Sequence, residues 1–269
     1  MTDRITISVN KGVADVRLVR ADKMNALDDA MFSRLISAAE EINANKEIRC
    51  VVLSGEGRAF CAGLDMGNFA KMAEGKRSEN SVAGGGLAER TYGIANRAQQ
   101  AVWGWRTLRV PVIAAVHGVA LGGGFQVALG ADIRIVHPDT KMSILEVKWG
   151  LVPDMSSTAI MRRLVRDDVI RELTYTGRIF SGTEAKEMGF VTHLSETPYE
   201  DAMNLAQLIA EKSPSAVQTA KNLYNRIADG SDADALMAES ELQETLMGSK
   251  NQIEAVMAGL QKRVGNFID

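Results

Sequence analysis

The stretch HGVALGGGFQ, His117–Gln126, constrains this chain more than any other. It follows an apolar run, VIAAV at 112–116, that reads as a buried strand. Three consecutive glycines, Gly122, Gly123 and Gly124, weaken any regular element that contains them. They are kept where backbone must come close to something. Phosphate loops fail on spacing. A dinucleotide fingerprint needs G-x-G-x-x-G, yet Phe125, Gln126 and Val127 follow the run, and no Gly-Lys-Ser/Thr ending is present. Neither NAD nor ATP binding is supported. Two readings stay open. In one, the glycines allow a buried helix, GGGFQVALGADI, to pack tightly on the strand before it. In the other, the unpaired N–H groups at that helix start, at the positive end of its dipole, receive a substrate carbonyl oxygen. One such donor is worth roughly 3–4 kcal/mol of barrier. A second small-residue turn, GRAFCAGLDM at 57–66, offers N–H groups near Leu64.

The rest of the chain supplies a frame for that site. ITISVN and VADVRLV flank Lys11-Gly12 and predict a hairpin. LDDAMFSRLISAAEEINAN predicts a helix capped by Asp28, with Met31, Leu35, Ala38, Ala39 and Ile42 on one face. IRCVVLSG and ADIRIV read as strands, and LAERTYGIANRAQQAVWGWRTL as one long helix ended by Pro111. This alternation predicts an α/β fold built of stacked strand–helix units. After about Val191 the strand signal fades and four helical patterns follow, one starting at Ser213-Pro214. The expected division is an α/β core over 1–195 and a helical region over 196–269. The polar, glycine-rich segment 72–90 reads equally as a linker or as a mobile lid.

Composition excludes some function classes. A net charge of −3 on 269 residues argues against non-specific nucleic-acid binding. The two cysteines, Cys50 and Cys61, lack metal-ligand spacing and fit a reducing setting. No secretory leader pattern opens the sequence, and no run reaches the roughly 20 apolar residues of a membrane span. The expectation is a soluble cytoplasmic protein with no membrane or nucleic-acid partner and no metal.

Four stretches, RADKMNAL, FCAGLDM, HGVALGGGFQVALGADIRI and EVKWGLVPDM, occur in an order that resembles the crotonase (enoyl-CoA hydratase/isomerase) superfamily. The likeness spans nearly the whole chain. It implies a spiral of ββα units with a helical C-terminal trimerisation region, hence a homotrimer or a dimer of trimers. It implies an acyl-CoA thioester substrate, with coenzyme A entering as part of the substrate and no other cofactor. By motif, the thioester oxygen would sit between the N–H groups of Leu64 and Gly123, while Lys23, Met24, Ala62, Gly63, Asp65, Met66 and Gly122 would line the CoA and substrate path. Family hydratases usually carry a Glu where this chain has Gln126; the second Glu, 20 residues on, is Glu146. A neutral amide is no general base near neutral pH. The resemblance therefore favours double-bond isomerisation with Glu146 as the single base. Asp154, eight residues after Glu146, resembles a carboxylate of the dienoyl-CoA isomerase branch, although that branch has an Asp where Gln126 stands. The hydratases' Gly-rich turn after Pro is absent. A single-Glu hydratase, a CoA-thioester hydrolase, a non-catalytic acyl-CoA-binding protein and an RNA-binding relative are the competing readings.

Other residues have simpler readings. Asp154 is equally placed as the N-cap of a helix SSTAIMRRLV. Cys61 has no His near it in sequence and reads as a buried small residue. His117, His137 and His193 show no metal spacing, and Ser156 and Ser157 lack a triad context. Tyr92, Trp103 and Trp105 fit core packing better than an acyl-pocket wall. Lys262 and Arg263 read as solvated surface charges that a neighbouring subunit's ligand can reach.

Overall fold

A computed structural model describes residues 3–67 and 86–269. β1 (Ile5–Asn10) and β2 (Val13–Leu18) form the expected antiparallel hairpin, Ile5 opposite Leu18. Lys11 and Gly12 both take positive φ, 49° and 78°, the turn geometry that matches the right-handed twist of paired strands. α1 (Asp29–Ala44) then returns along the hairpin. Asp28 caps it by accepting from Met31 N at 2.8 Å, and all five predicted face residues are buried. β3 (Cys50–Gly55) pairs parallel with β2.

The long helix expected over 87–108 is shorter. α2 runs only over Arg97–Arg106, and Pro111 lies beyond its end. The start is set by a capping box: Asn96 accepts from Gln99 N at 2.9 Å and the Gln99 side chain accepts from Asn96 N at 2.9 Å. Tyr92 therefore sits before the helix, in a turn bridged to Ala95. Of the segment 72–90, residues 72–85 lie outside the described residues.

β4 (Val112–Val116) joins β3 in parallel, and the chain then leaves the sheet. β5 (Val119–Leu121), which the sequence did not separate from β4, runs in a second, smaller sheet before α3 (Gly123–Leu129) begins. β6 (Ile133–Val136) returns to the main sheet and β7 (Lys141–Ser143) pairs with β5. Single bridges, Cys61 to Ala120 and Met142 to Phe180, widen the small sheet. The β4–β5 and β6–β7 passes thus each place one strand in the large sheet and the next in the small one. Three short helices, α4 (Ser157–Met161), α5 (Asp167–Thr176) and α6 (Gly182–Met188), lead to β8 (His193–Leu194), and the large sheet has the order β1-β2-β3-β4-β6-β8.

Period-two alternation decides which side chain meets which layer. Val51, Leu53, Val112, Ala114 and Val116 face the core shared with α1, α2 and α3. Cys50, Val52, Ile113 and Ala115 face the other way and are covered by α7 (Pro198–Ala210) through Ala202, Ala206 and Ala210. α8 (Pro214–Arg226), α9 (Asp232–Leu246) and α10 (Lys250–Leu260) follow, with α8 against both later helices. Ser213 and Pro214 start α8 as expected. These last helices bury little: Ala238 is the buried residue of α9 and Ala258 that of α10, while Leu236, Met237, Ile253 and Leu260 are more than half exposed. Among the described residues no helix is long and apolar enough to cross a membrane.

Candidate active site

The three glycines stand where the two sheets and α3 meet. The close-packing reading holds at one position. A Cβ at Gly124 would lie 2.2 Å from the Cys61 carbonyl oxygen, so close packing forbids any side chain there. Gly122 takes φ 50° and ψ −119° and faces a functional group: a Cβ on it would lie 3.4 Å from Glu146 Oε1. Across from them the turn at Gly63, φ 90°, is pressed onto α3. A Cβ there would lie 2.5 Å from Leu121 O and 3.7 Å from Gly123 N. The N–H groups of Leu64 and Gly123 donate to no partner among the described residues, whereas Gly122 N is taken by Ser143 O at 3.0 Å. Two unpaired amides thus flank one junction.

Glu146 opens a 3-10 turn, Glu146–Trp149, after β7, and is 9 % exposed. Its Oε1 accepts from Gln126 Nε2 at 2.6 Å. Its Oε2 is buried and has no hydrogen-bond partner among the described residues. Burial pushes this carboxyl above its usual range; the charge of Asp154 adds to the rise, and the Gln126 amide opposes it. Gln126, on α3, is itself buried, and its Oε1 accepts from Met155 N at 2.9 Å and from Ser157 Oγ at 2.7 Å. Asp154 lies on the same turn. It is not the cap of α4: Ser156 holds that position, with φ 70°. The Asp154 residue reaches solvent, yet desolvation by the surrounding protein raises its carboxyl too.

The segment carrying Lys23 and Met24 is pinned beside these groups. Met24 and Asn25 both adopt left-handed backbone, φ 49° and 56°. Asn25, fully buried, accepts from Arg20 N and donates to the carbonyls of Glu56 and Ala59. Met24 O accepts from Ala62 N, and Leu27 exchanges hydrogen bonds with Gly63 and Asp65. Asp65 pairs with Arg20 at 2.6 Å. Burial raises its carboxyl, but the Gly67 N–H and Arg20 outweigh this and hold it below the usual range. Lys23 and Met66 are exposed at the rim. Sequence reading missed Asn25, Arg20, Met155 and Ser157 as builders of the site. Only Asn25 left a signal, since Asn tolerates positive φ better than most residues.

The remaining candidates have other partners or surroundings. Cys61 is buried with its thiol pushed up to about 12 by desolvation, so it is no nucleophile at neutral pH. His117 bonds Gly57 O, His137 lies 3.1 Å from Glu196, and His193 is exposed on β8. Trp105 is wholly buried and Trp103 packs against the core. Ser156 donates to Gln99 O, and Arg263 pairs with Glu254, leaving the exposed Lys262 beside it.

With this geometry in view, comparison with known proteins is direct. The family model described as "Enoyl-CoA hydratase/isomerase" matches residues 8–269. YngF of Bacillus subtilis (strain 168), whose name goes no further than that same hydratase/isomerase description, is 34% identical over 98% of this chain and 97% of its own. The mitochondrial Delta(3,5)-Delta(2,4)-dienoyl-CoA isomerase of Dictyostelium discoideum is 30% identical over 93% of this chain and 86% of its own. The crystal structure of an enoyl-CoA hydratase from Bacillus anthracis superposes with a TM-score of 0.87 at 28% identity, covering 98% of both chains. The names of these similar proteins thus cover both isomerase and hydratase. The chain belongs to the enoyl-CoA hydratase/isomerase family and is an enzyme of the crotonase fold.

Proposed function

We propose that this enzyme moves a double bond in an enoyl-CoA, with Glu146 as the single base. The observation that carries the reading is the Glu146 carboxylate: Oε1, beside Gly122, is held by Gln126, and Oε2 is buried and unpaired among the described residues. A 3-enoyl thioester fits that arrangement. Oε2 removes a proton from C2, and the electron pair moves onto the thioester oxygen as a dienolate. The N–H groups of Leu64 and Gly123 receive the oxyanion. The proton returns from Glu146 to C4, the double bond settles at C2, and no water is consumed. The raised carboxyl supports base strength, since a base whose pKa lies nearer the working pH transfers protons more effectively. In this reading Asp154 faces the substrate further along the acyl chain, where a longer proton shift in a dienoyl-CoA needs a second carboxylate. Lys23, the Met24 carbonyl and the turn Ala62–Met66 border the CoA, with Asp65 holding that turn through Arg20. The exposed apolar side chains of α9 and α10 support a homotrimer, single or doubled.

The experiment incubates the pure protein in heavy water with a 3-enoyl-CoA and, separately, with a 2-enoyl-CoA, followed by mass spectrometry. Conjugated product from the first without added water, and no hydration of the second, is expected. Rapid water addition to the 2-enoyl-CoA would make the enzyme a single-Glu hydratase. Release of free CoA would make it a thioester hydrolase.

A further inference from the structure

The Gln126 side chain has no choice of orientation. Met155 N–H is a backbone donor, so the amide atom it meets at 2.9 Å must be the oxygen. Ser157 Oγ donates to the same oxygen at 2.7 Å. With both acceptor directions of Oε1 engaged, Nε2 is turned onto Glu146 Oε1 at 2.6 Å. Gln126 and Ser157 are each 1 % exposed, so water does not substitute for either donor. We infer that Ser157 is a positioning residue that acts through Gln126 on Glu146, leaving Oε2 as the atom that takes the proton. This rests on the reading of Glu146 as the base and extends it to a residue that never touches substrate.

The surroundings make the effect specific. Among the described residues, the charged side chain acting on Glu146 is Asp154, carried by the same turn as Ser157. Lys148, on the 3-10 turn of Glu146, is directed to the Trp149 ring, 5.4 Å from its centroid. α5, packed against that turn, has its charges paired: Arg171 with Asp167, Arg166 with Asp168, and Glu172 with Arg178. Without the Ser157 hydroxyl one donor remains, Met155 N–H, which keeps the orientation of the amide but holds it less firmly. The charge-assisted hydrogen bond from Nε2 to Glu146 weakens, which favours the protonated carboxyl.

The test titrates the Glu146 carboxylate by infrared difference spectroscopy on the full protein, with Glu146→Gln supplying the assignment. No turnover is needed, so failure of the isomerase reading would show separately, as absence of product from the wild type. In Ser157→Ala the midpoint is expected to rise by about one pH unit. Ser157→Thr, which keeps the hydroxyl, is expected to restore it. In a Gln126→Met background, with no amide to orient, the same Ser157→Ala change should move the midpoint by only a few tenths at most, roughly. An unmoved midpoint in Ser157→Ala, or an equal shift in both backgrounds, would overturn the inference. In kinetics the acid limb of kcat against pH should move up with the midpoint in Ser157→Ala, by about one pH unit, with KM unchanged, since Ser157 is not a binding group.

Discussion

Replacing Gln126 by Glu tests the site most severely, because the change swaps a donor for a second carboxylate at the same contact. The Gln126 and Glu146 side chains meet at 2.6 Å, and both are buried. Two carboxylates in that contact carry charges about 4 Å apart, centre to centre. At an effective dielectric of about 20 their repulsion is about 4 kcal/mol, or roughly 3 pKa units. Both cannot be ionised near neutral pH, so the pair holds one proton and titrates as a unit. Met155 N–H and the Ser157 hydroxyl already aim at one oxygen of residue 126, which favours the charge on that residue and the proton on Glu146. The base would then be disabled across the range where the wild type works. The assay is kcat/KM against pH for isomerisation of a 3-enoyl-CoA. The acid limb is expected to move up by about 3 pH units in Gln126→Glu, while Gln126→Met lowers the plateau and leaves the limb within about one unit. A limb at the wild-type pH in Gln126→Glu would refute the reasoning: residue 126 would not face the base.

Three further outcomes follow from the same geometry. Glu146→Gln should abolish isomerisation while CoA binding persists, and its thermal stability relative to wild type should improve as pH rises. The Glu146 carboxyl is raised in the folded state, so its contribution to stability is present below the ordinary Glu value and is lost as pH climbs through the folded one; melting curves at pH 4 and pH 7 decide it. Gly124→Ala should destabilise by about 3 kcal/mol or more in urea unfolding, since its Cβ meets a backbone carbonyl at 2.2 Å, whereas Gly259→Ala, helical and in open space, should stabilise by about 0.5–1 kcal/mol. Asn25→Ala strands two buried carbonyls and one N–H; a loss of about 2–4 kcal/mol in the same assay, with weaker CoA binding from a loosened 24–28 segment, is expected.

What the sequence disclosed and what it hid divide along a physical line. Strands and helices set by local pattern were legible: the Lys11-Gly12 turn, the Asp28 cap and the Ser213-Pro214 start are each written within a few residues of where they act. The false long helix failed because its apolar spacing continues back to Leu87, while the Asn96 and Gln99 capping box that starts the true one depends on side-chain geometry rather than periodicity. β5 was hidden because three residues leaving one sheet for another carry no pattern of their own. In the site, Gln126 and Glu146 stand 20 positions apart and were recognised by motif, but neither their contact nor the orientation of the amide can be read from spacing.

That orientation sets what the Glu146 carboxylate meets. An amide at 126 presents either its oxygen or its nitrogen to Glu146, and the two choices have opposite effects on a carboxylate. The nitrogen stabilises the charge and anchors one oxygen; the oxygen repels it. The choice is made by Met155 and Ser157, about 30 residues downstream, where the chain enters α4. The same turn carries Asp154, whose charge raises Glu146 while the Gln126 amide lowers it. One loop therefore adds two opposing influences on Glu146, beside the burial that raises it. Relatives that share the glycines and the Glu but differ in this loop would share the fold and the oxyanion donors while differing in how readily the carboxylate takes a proton. A family whose members carry out both hydration and isomerisation on one scaffold needs a lever of this kind, and in this chain the turn Asp154–Ser157 is placed to be that lever.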